Sequence, residues 1–302
     1  MIKDNMTVKE RILASMKGQE IDRIAWSPFL AYFWEAQPKS IQDKGMFWFY
    51  QEIGADTLYR GTHALFQTTY KNCRKVEKVK NGEKIVTYET PVGNLVERSV
   101  FTQNTNSWFL IEHPVKTEED FRILTYLYND IVLKPDNEKF LYDYKKMGED
   151  GLILPIVGGP SCKTAFQSLL EYWVGTEELV YALADYPETV EESLEVITKV
   201  NLTSAEISVN SPAEAFIFWE DSSTTNISPA FFEKYTMPEI TECAKILHAH
   251  DKLLIHHACG HLKALLPLIS LTRIDMLESV SSPPTGNIMP WEVNNALPET
   301  TG

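Results

Sequence analysis

The chain has 302 residues, enough for one large α/β domain, and its 44% hydrophobic and 23% charged residues give the balance of a globular protein. Lys and Arg total 28 against 42 Asp and Glu, a net charge of −14, which argues against nucleic acid and anionic membrane surfaces as partners. No apolar run reaches membrane-spanning length, and the opening MIKDNMTVKERILASMKG lacks the apolar core of a signal peptide. Cys73, Cys162, Cys243 and Cys259 have no framework spacing, so a cytoplasmic protein with free thiols is expected.

In chain order, Thr7 and Glu10 form a capping-box pattern that predicts a helix over 7–17, ended by Gly18. A strand is expected at 24–29, then a helical stretch around 38–53 and a strand at 55–60 closed by Gly61. Residues 73–101 alternate with period two on either side of Asn81-Gly82, which predicts a β-hairpin excursion on the surface. Helices follow over 117–130 and near 137–147, and GLILPIVGGP gives a buried strand at 152–157. Residues 163–210 read as helix with a break at Pro187, and AEAFIFWEDSS gives a strand at 214–219. A capped helix from Ser228 carries an expected kink near Pro238, and strands at 253–258 and 274–278 complete the series.

Strands that alternate with helices and are apolar throughout imply a parallel sheet covered on both faces. Polar residues recur at the strand ends, as Glu220-Asp221, His257-x-Cys259 and Glu278-Ser279, which is where (β/α)8 barrels place their chemistry. No Gly-x-Gly-x-x-Gly turn or phosphate loop supports a doubly wound sheet instead. One (β/α)8 TIM-barrel domain over 1–302 is therefore expected, with an N-terminal helical segment and the 73–101 excursion. Six strands are legible where a closed barrel needs eight, so the last barrel units are expected to lie beyond residue 302.

In the run KLLIHHACGHLKALLPLI, His256 and His257 point to opposite faces of a strand, and the spacing sets His257 beside Cys259. An imidazole nitrogen and a thiolate so placed suit tetrahedral Zn²⁺. A single buried Cys is ordinarily inert packing, and the coincidence of two ligand types at one strand tip is what marks this pair. Glu220 or Asp221 would supply a third ligand or an acid/base group, or would simply cap the following turn.

The motifs ERILASMKGQEIDRIAWSPF, TPVGNLVE, HPVKTEEDFRIL, GGPSC, FWEDSSTTNISPAFFEKYTMPEI and HHACGHLKALLPLISLTRIDMLES resemble, in this order, the uroporphyrinogen decarboxylase superfamily. The resemblance spans essentially the whole chain and implies a TIM barrel. The decarboxylase branch binds a polycarboxylate and carries arginines in its first strand loop, where this chain has the aromatic WSPFLAYFWEAQP and only seven scattered arginines overall. HACG at 257–260 instead resembles the zinc-dependent corrinoid methyltransferases of the methylcobalamin:coenzyme M type. That branch implies zinc at His257 and Cys259. Its methyl donor would be a methylated corrinoid (methylcobalamin), free or on a corrinoid partner protein, and its acceptor a small-molecule thiol or related group. No Cys follows Cys259, so the third ligand is expected at Glu220 or Asp221 or beyond residue 302. Two other readings stand beside this one: decarboxylation of a tetrapyrrole acid, and a non-catalytic corrinoid- or tetrapyrrole-binding protein. A homodimer is compatible with each.

Overall fold

The computed structural model of the chain describes residues 4–297, apart from the side chains at 31, 32, 294 and 295. Eleven strands are found among them. They are β1 (Thr57–Ala64), β2 (Phe66–Tyr70), β3 (Arg74–Lys80), β4 (Glu83–Thr90), β5 (Gly93–Thr102) and β6 (Ser107–Glu112). The others are β7 (Ile131–Pro135), β8 (Gly151–Ile156), β9 (Ala215–Phe218), β10 (Leu253–His257) and β11 (Met276–Glu278). A five-stranded sheet runs β1-β8-β9-β10-β11, with every pair parallel.

The sheet is buried on both faces, which explains its nearly continuous apolar sequence. Leu58, Leu152, Leu154, Ala215, Ile217, Leu253 and Ile255 point to one side and form a single cluster. Ile153, Phe216, Phe218, Leu254 and Leu277, their neighbours in sequence, point the other way into the larger core shared with the helices. Each such side chain contributes about 1.5–3 kcal/mol when fully buried. Ile12 and Met16 of the helix Val8–Met16 close the first cluster.

That N-terminal helix is held at both levels. Thr7 Oγ1 accepts from Glu10 N at 3.1 Å while Glu10 Oε2 accepts from Thr7 N at 2.7 Å, the expected capping box. Arg11, 1% exposed, then donates to Asp22 Oδ1 at 2.6 Å and to Asp56 Oδ1 at 2.7 Å. Arg23 donates to both oxygens of the same Asp56, at 2.6 and 2.9 Å. The Asp22-Arg23 pair therefore anchors the helix to the start of β1.

Five of the six expected barrel strands are present, and the segment 24–29 is not one of them. Trp26 O accepts from Asp56 N at 2.7 Å, but Trp26 N donates to the Asp56 carboxylate at 2.9 Å, and Pro28 has no N–H to offer. A side chain has taken the place of a ladder partner. Residues 74–112, where a two-stranded excursion is expected, form a four-stranded antiparallel sheet β3-β4-β5-β6. It is more than surface decoration, because Val86, Tyr88 and Leu95 are buried in the main core. β2 and β7 add a short antiparallel pair. The kink near Pro238 is a π-helical turn over Phe232–Thr236, immediately before the helix Met237–His248.

β1 and β11 lie at opposite ends of the sheet order, yet Arg60 Nε of β1 sits 2.9 Å from Glu278 Oε1 of β11. In a flat sheet these strands would be about 19 Å apart at the usual spacing of about 4.8 Å. The sheet is therefore curled about its apolar cluster, as in a TIM-barrel-like fold. Among the described residues β1 and β11 are not hydrogen-bonded, so five strands stand where a closed ring of eight is expected. No helix among the described residues is long and apolar enough to cross a membrane.

Candidate active site

Alternation within the strands decides what crowns the inner cluster. Leu58 points inward on β1, so Arg60 does too, and Ile255 and Met276 place His257 and Glu278 in the same layer. Trp219, the first residue after β9, joins them with its ring 4.7 Å from that of His257 and nearly parallel at 9°. Gly61 (φ +76°) makes room for it, since a Cβ there would meet the Trp219 ring at 3.0 Å. Phe29, from the aromatic N-terminal loop, packs at 5.6 Å on Trp219 and lies under the Arg60 guanidinium at 5.0 Å.

Three side chains form a chain of contacts across the layer. The Nδ1–H of His257 donates to Glu278 Oε2 in a short hydrogen bond, and the other oxygen of Glu278 faces Arg60. Burial works to raise the Glu278 carboxyl, but the His257 hydrogen bond and the Arg60 charge outweigh it and hold it below its usual range. The bond leaves the Nε2 edge of the His257 ring available.

Cys259 donates its thiol to Asp221 Oδ1 at 2.6 Å. Burial first, and then the neighbouring Asp221 carboxylate, push this thiol up to about 12, so it is protonated at neutral pH. The chain reaches this position by a turn at Gly260 (φ +80°), where a Cβ would lie 2.7 Å from Ser223 Oγ. Ser223 Oγ accepts from His261 N at 3.0 Å, which ties the loop after β10 to the loop after β9. His261 lies in that loop, and the next helix is Leu266–Ile269.

His256 faces the other way. It is fully buried, shares Nε2 with Ser222 Oγ at 3.2 Å and stacks 6.5 Å from Phe232, and burial pushes it down to about 3. It is a neutral core histidine. Glu220 also sits outside the His257 layer. Its Oε2 accepts from Thr164 Oγ1 at 3.2 Å and its Oε1 from Thr164 N. Glu239 Oε2 accepts from the next amide, Ala165 N, at 2.8 Å. Two buried acids thus clamp the loop after β8 and present Lys163, whose Nζ reaches Trp219 O at 2.7 Å and Glu171 Oε1 at 2.8 Å.

Burial raises Glu220 to about 8 and Glu239 to about 7. The folded state therefore holds protons that the unfolded chain releases near pH 4.5, so these two groups lower stability as pH rises from there to about 8. Glu220→Gln keeps a hydrogen-bonding oxygen for Thr164 but cannot ionise. Its melting temperature is expected to fall less between pH 5.5 and 8 than that of the parent, and identical slopes would refute the assignment.

The structure brings His257, Cys259, Asp221 and Glu278, all strand-end residues marked in the sequence, to one region and adds Arg60 and Trp219. Arg60 is not singled out by the sequence reading; its place at the end of an apolar strand is the signal that points to it. By donor type, His257 and Cys259 fit zinc, and the Glu278–His257 bond is the outer-shell support such a ligand uses. No group of three His, Cys, Asp or Glu side chains that could hold a metal ion occurs among the described residues. The described chain thus offers a two-donor seat with Asp221 beside it.

The uroporphyrinogen decarboxylase (URO-D) family model matches residues 151–282, from β8 through the loop after β11. Among solved structures, a methyltransferase from Methanosarcina mazei is similar, with a TM-score of 0.51 and 12% sequence identity, covering 90% of this chain and 76% of that one. At that identity the likeness is one of fold. No curated protein matches the sequence.

Proposed function

We propose, for a chain of the uroporphyrinogen decarboxylase superfamily over residues 151–282, that the strand-end cluster is the active site of a methyltransferase. The donor is a methylated corrinoid, free or carried by a partner protein, and the acceptor is a small thiol. The observation that carries this reading is the end of β10, where Glu278 holds the His257 ring at Nδ1 and, two residues on, the Cys259 thiol meets Asp221.

His257 Nε2 and Cys259 Sγ would hold a zinc ion, whose contribution when bound is to stabilise the acceptor as its thiolate at neutral pH. Asp221 Oδ1, 2.6 Å from the Cys259 sulfur, is placed to take the thiol proton that metal binding displaces. Glu278 fixes the tautomer and direction of the His257 ring, and Arg60 keeps Glu278 ionised for that task. Trp219 covers one face of the ring and limits water there. Trp26, Phe29 and Phe33, half exposed on the N-terminal segment, offer a flat apolar surface to the planar donor.

A decarboxylase for a polycarboxylate would need cations free to bind carboxylates. Arg60 is engaged with Glu278, Arg11 and Arg23 with Asp22 and Asp56, and Arg74, Arg98 and Arg122 with surface glutamates, while the seventh, Arg273, is exposed just before β11, at the other end of that strand from Glu278. That distribution favours methyl transfer. Incubating the protein with zinc, methylcobalamin and a panel of small thiols should give a thioether and loss of the methylcobalamin spectrum, both dependent on zinc. Metal-free decarboxylation of a porphyrinogen, or no transfer to any thiol, would overturn the reading.

A further inference from the structure

A second cavity, of about 300 Å³, opens between the antiparallel sheet β3-β4-β5-β6 and the helices, and none of His257, Cys259, Asp221 and Glu278 lines it. Its walls are aromatic. Tyr70, Tyr88, Tyr128, Tyr172 and Trp173 contribute rings, with Tyr88 and Tyr128 packed 5.1 and 5.7 Å from Trp173. The Trp173 indole donates to the Tyr128 hydroxyl at 3.1 Å, so two of the rings hold each other in place.

One carboxylate, Glu97 of β5, lines this aromatic space. It is half-buried and forms no ion pair among the described residues, although Lys75 of β3 lines the same cavity. Lys75 is exposed and rests its Nζ 5.5 Å from the Tyr88 ring, at the solvent side. Burial raises the Glu97 carboxyl and outweighs the more distant Lys75 and Lys84 charges and the Tyr88 hydroxyl, which act to lower it. A carboxylate taken partly out of water is costly unless a counter-charge meets it, and here Lys75 and Lys84 act on Glu97 only from beyond ion-pair distance, with the Tyr88 hydroxyl beside it.

We propose that this cavity binds a small organic ammonium ion, its charge against Glu97 and its alkyl groups against the surrounding rings. Aromatic faces attract cations through their negative quadrupole, and several rings around one carboxylate favour a soft, weakly hydrated ammonium over a metal ion. The cavity is large enough for a ligand of that class and carries only a few polar groups, as small-molecule sites do. Lys75 is the competing resident cation, close enough to weaken binding without filling the cavity.

Tetramethylammonium is the probe, because it has charge and apolar surface but no hydrogen-bond donors. Calorimetric titration into the intact protein should show saturable 1:1 binding. Glu97→Gln should weaken it about tenfold, the fold-change expected of one partly desolvated charge contact. Lys75→Met should tighten it several-fold, an effect that a misfolded variant cannot produce. His257→Ala should leave the affinity unchanged, so the result is independent of zinc and of methyl transfer. The absence of saturable heat, equal affinity in Glu97→Gln, or tighter binding of benzoate than of tetramethylammonium would overturn the assignment.

Discussion

Replacing His257 with alanine is expected to abolish zinc retention and methyl transfer together, while leaving the melting temperature close to that of the parent. The ring is 16% exposed and crowns the inner cluster rather than filling it, so its loss removes a ligand more than it removes packing. Glu278→Gln tests the support behind the ligand. The amide cannot carry the charge that holds the Nδ1–H, so the ring loses its fixed tautomer. A loss of about 10–100-fold in zinc affinity is expected from such a change. Arg60→Met should act in the same direction by releasing Glu278. Elemental analysis gives the stoichiometry, and competition with a chelator gives the affinity. Stoichiometric zinc in His257→Ala would place the metal elsewhere and remove the basis of the proposed function.

Arg11→Met should be the most destabilising single change in the N-terminal region. Arg11 is almost wholly enclosed, and its guanidinium contacts Asp22, Asp56 and the Met6 carbonyl. Methionine fills much of the same volume but leaves Asp56, itself fully buried, with Arg23 as its one cation beside the Trp26 amide. Removing one partner from a buried ionic network costs about 3–5 kcal/mol. That is a large share of a typical domain's stability of about 5–15 kcal/mol. Urea unfolding should show a lower midpoint with an unchanged slope. A loss below about 1 kcal/mol would mean that Arg23 compensates and that the network is redundant.

The elements that sequence exposes most clearly are those whose pattern is set by burial alone. β8, β9 and β10 are enclosed on both faces and read as apolar runs, and the capping box at Thr7 and Glu10 is a local signal that needs no partner. β2 and β7 escape notice because they are short and pair only with each other, with much of their length partly exposed. At 24–29 the apolar pattern is strand-like, but the Asp56 carboxylate occupies the hydrogen-bonding position that a neighbouring strand would need. The site divides in the same way. His257 and Cys259 lie two residues apart, so sequence alone brings both to the end of β10, although the strand stops at His257 and Cys259 stands in the loop beside Asp221. Arg60 and Glu278 belong to β1 and β11 and Trp219 follows β9, and only the curl of the sheet brings them to the histidine. Glu220 and Asp221 are adjacent in sequence yet part ways, one clamping Thr164 and the other meeting the thiol.

The contact between Arg60 and Glu278 also sets when the protein can become competent. Its two residues are more than two hundred positions apart. At about 5–20 residues per second, a ribosome makes Glu278 roughly 10–45 s after Arg60. Until then His257 has no carboxylate to orient it, even with β10 already made. A growing chain can therefore bury much of its apolar interior while the proposed metal seat stays unset, and zinc loading is expected to follow synthesis of β11 rather than accompany earlier folding.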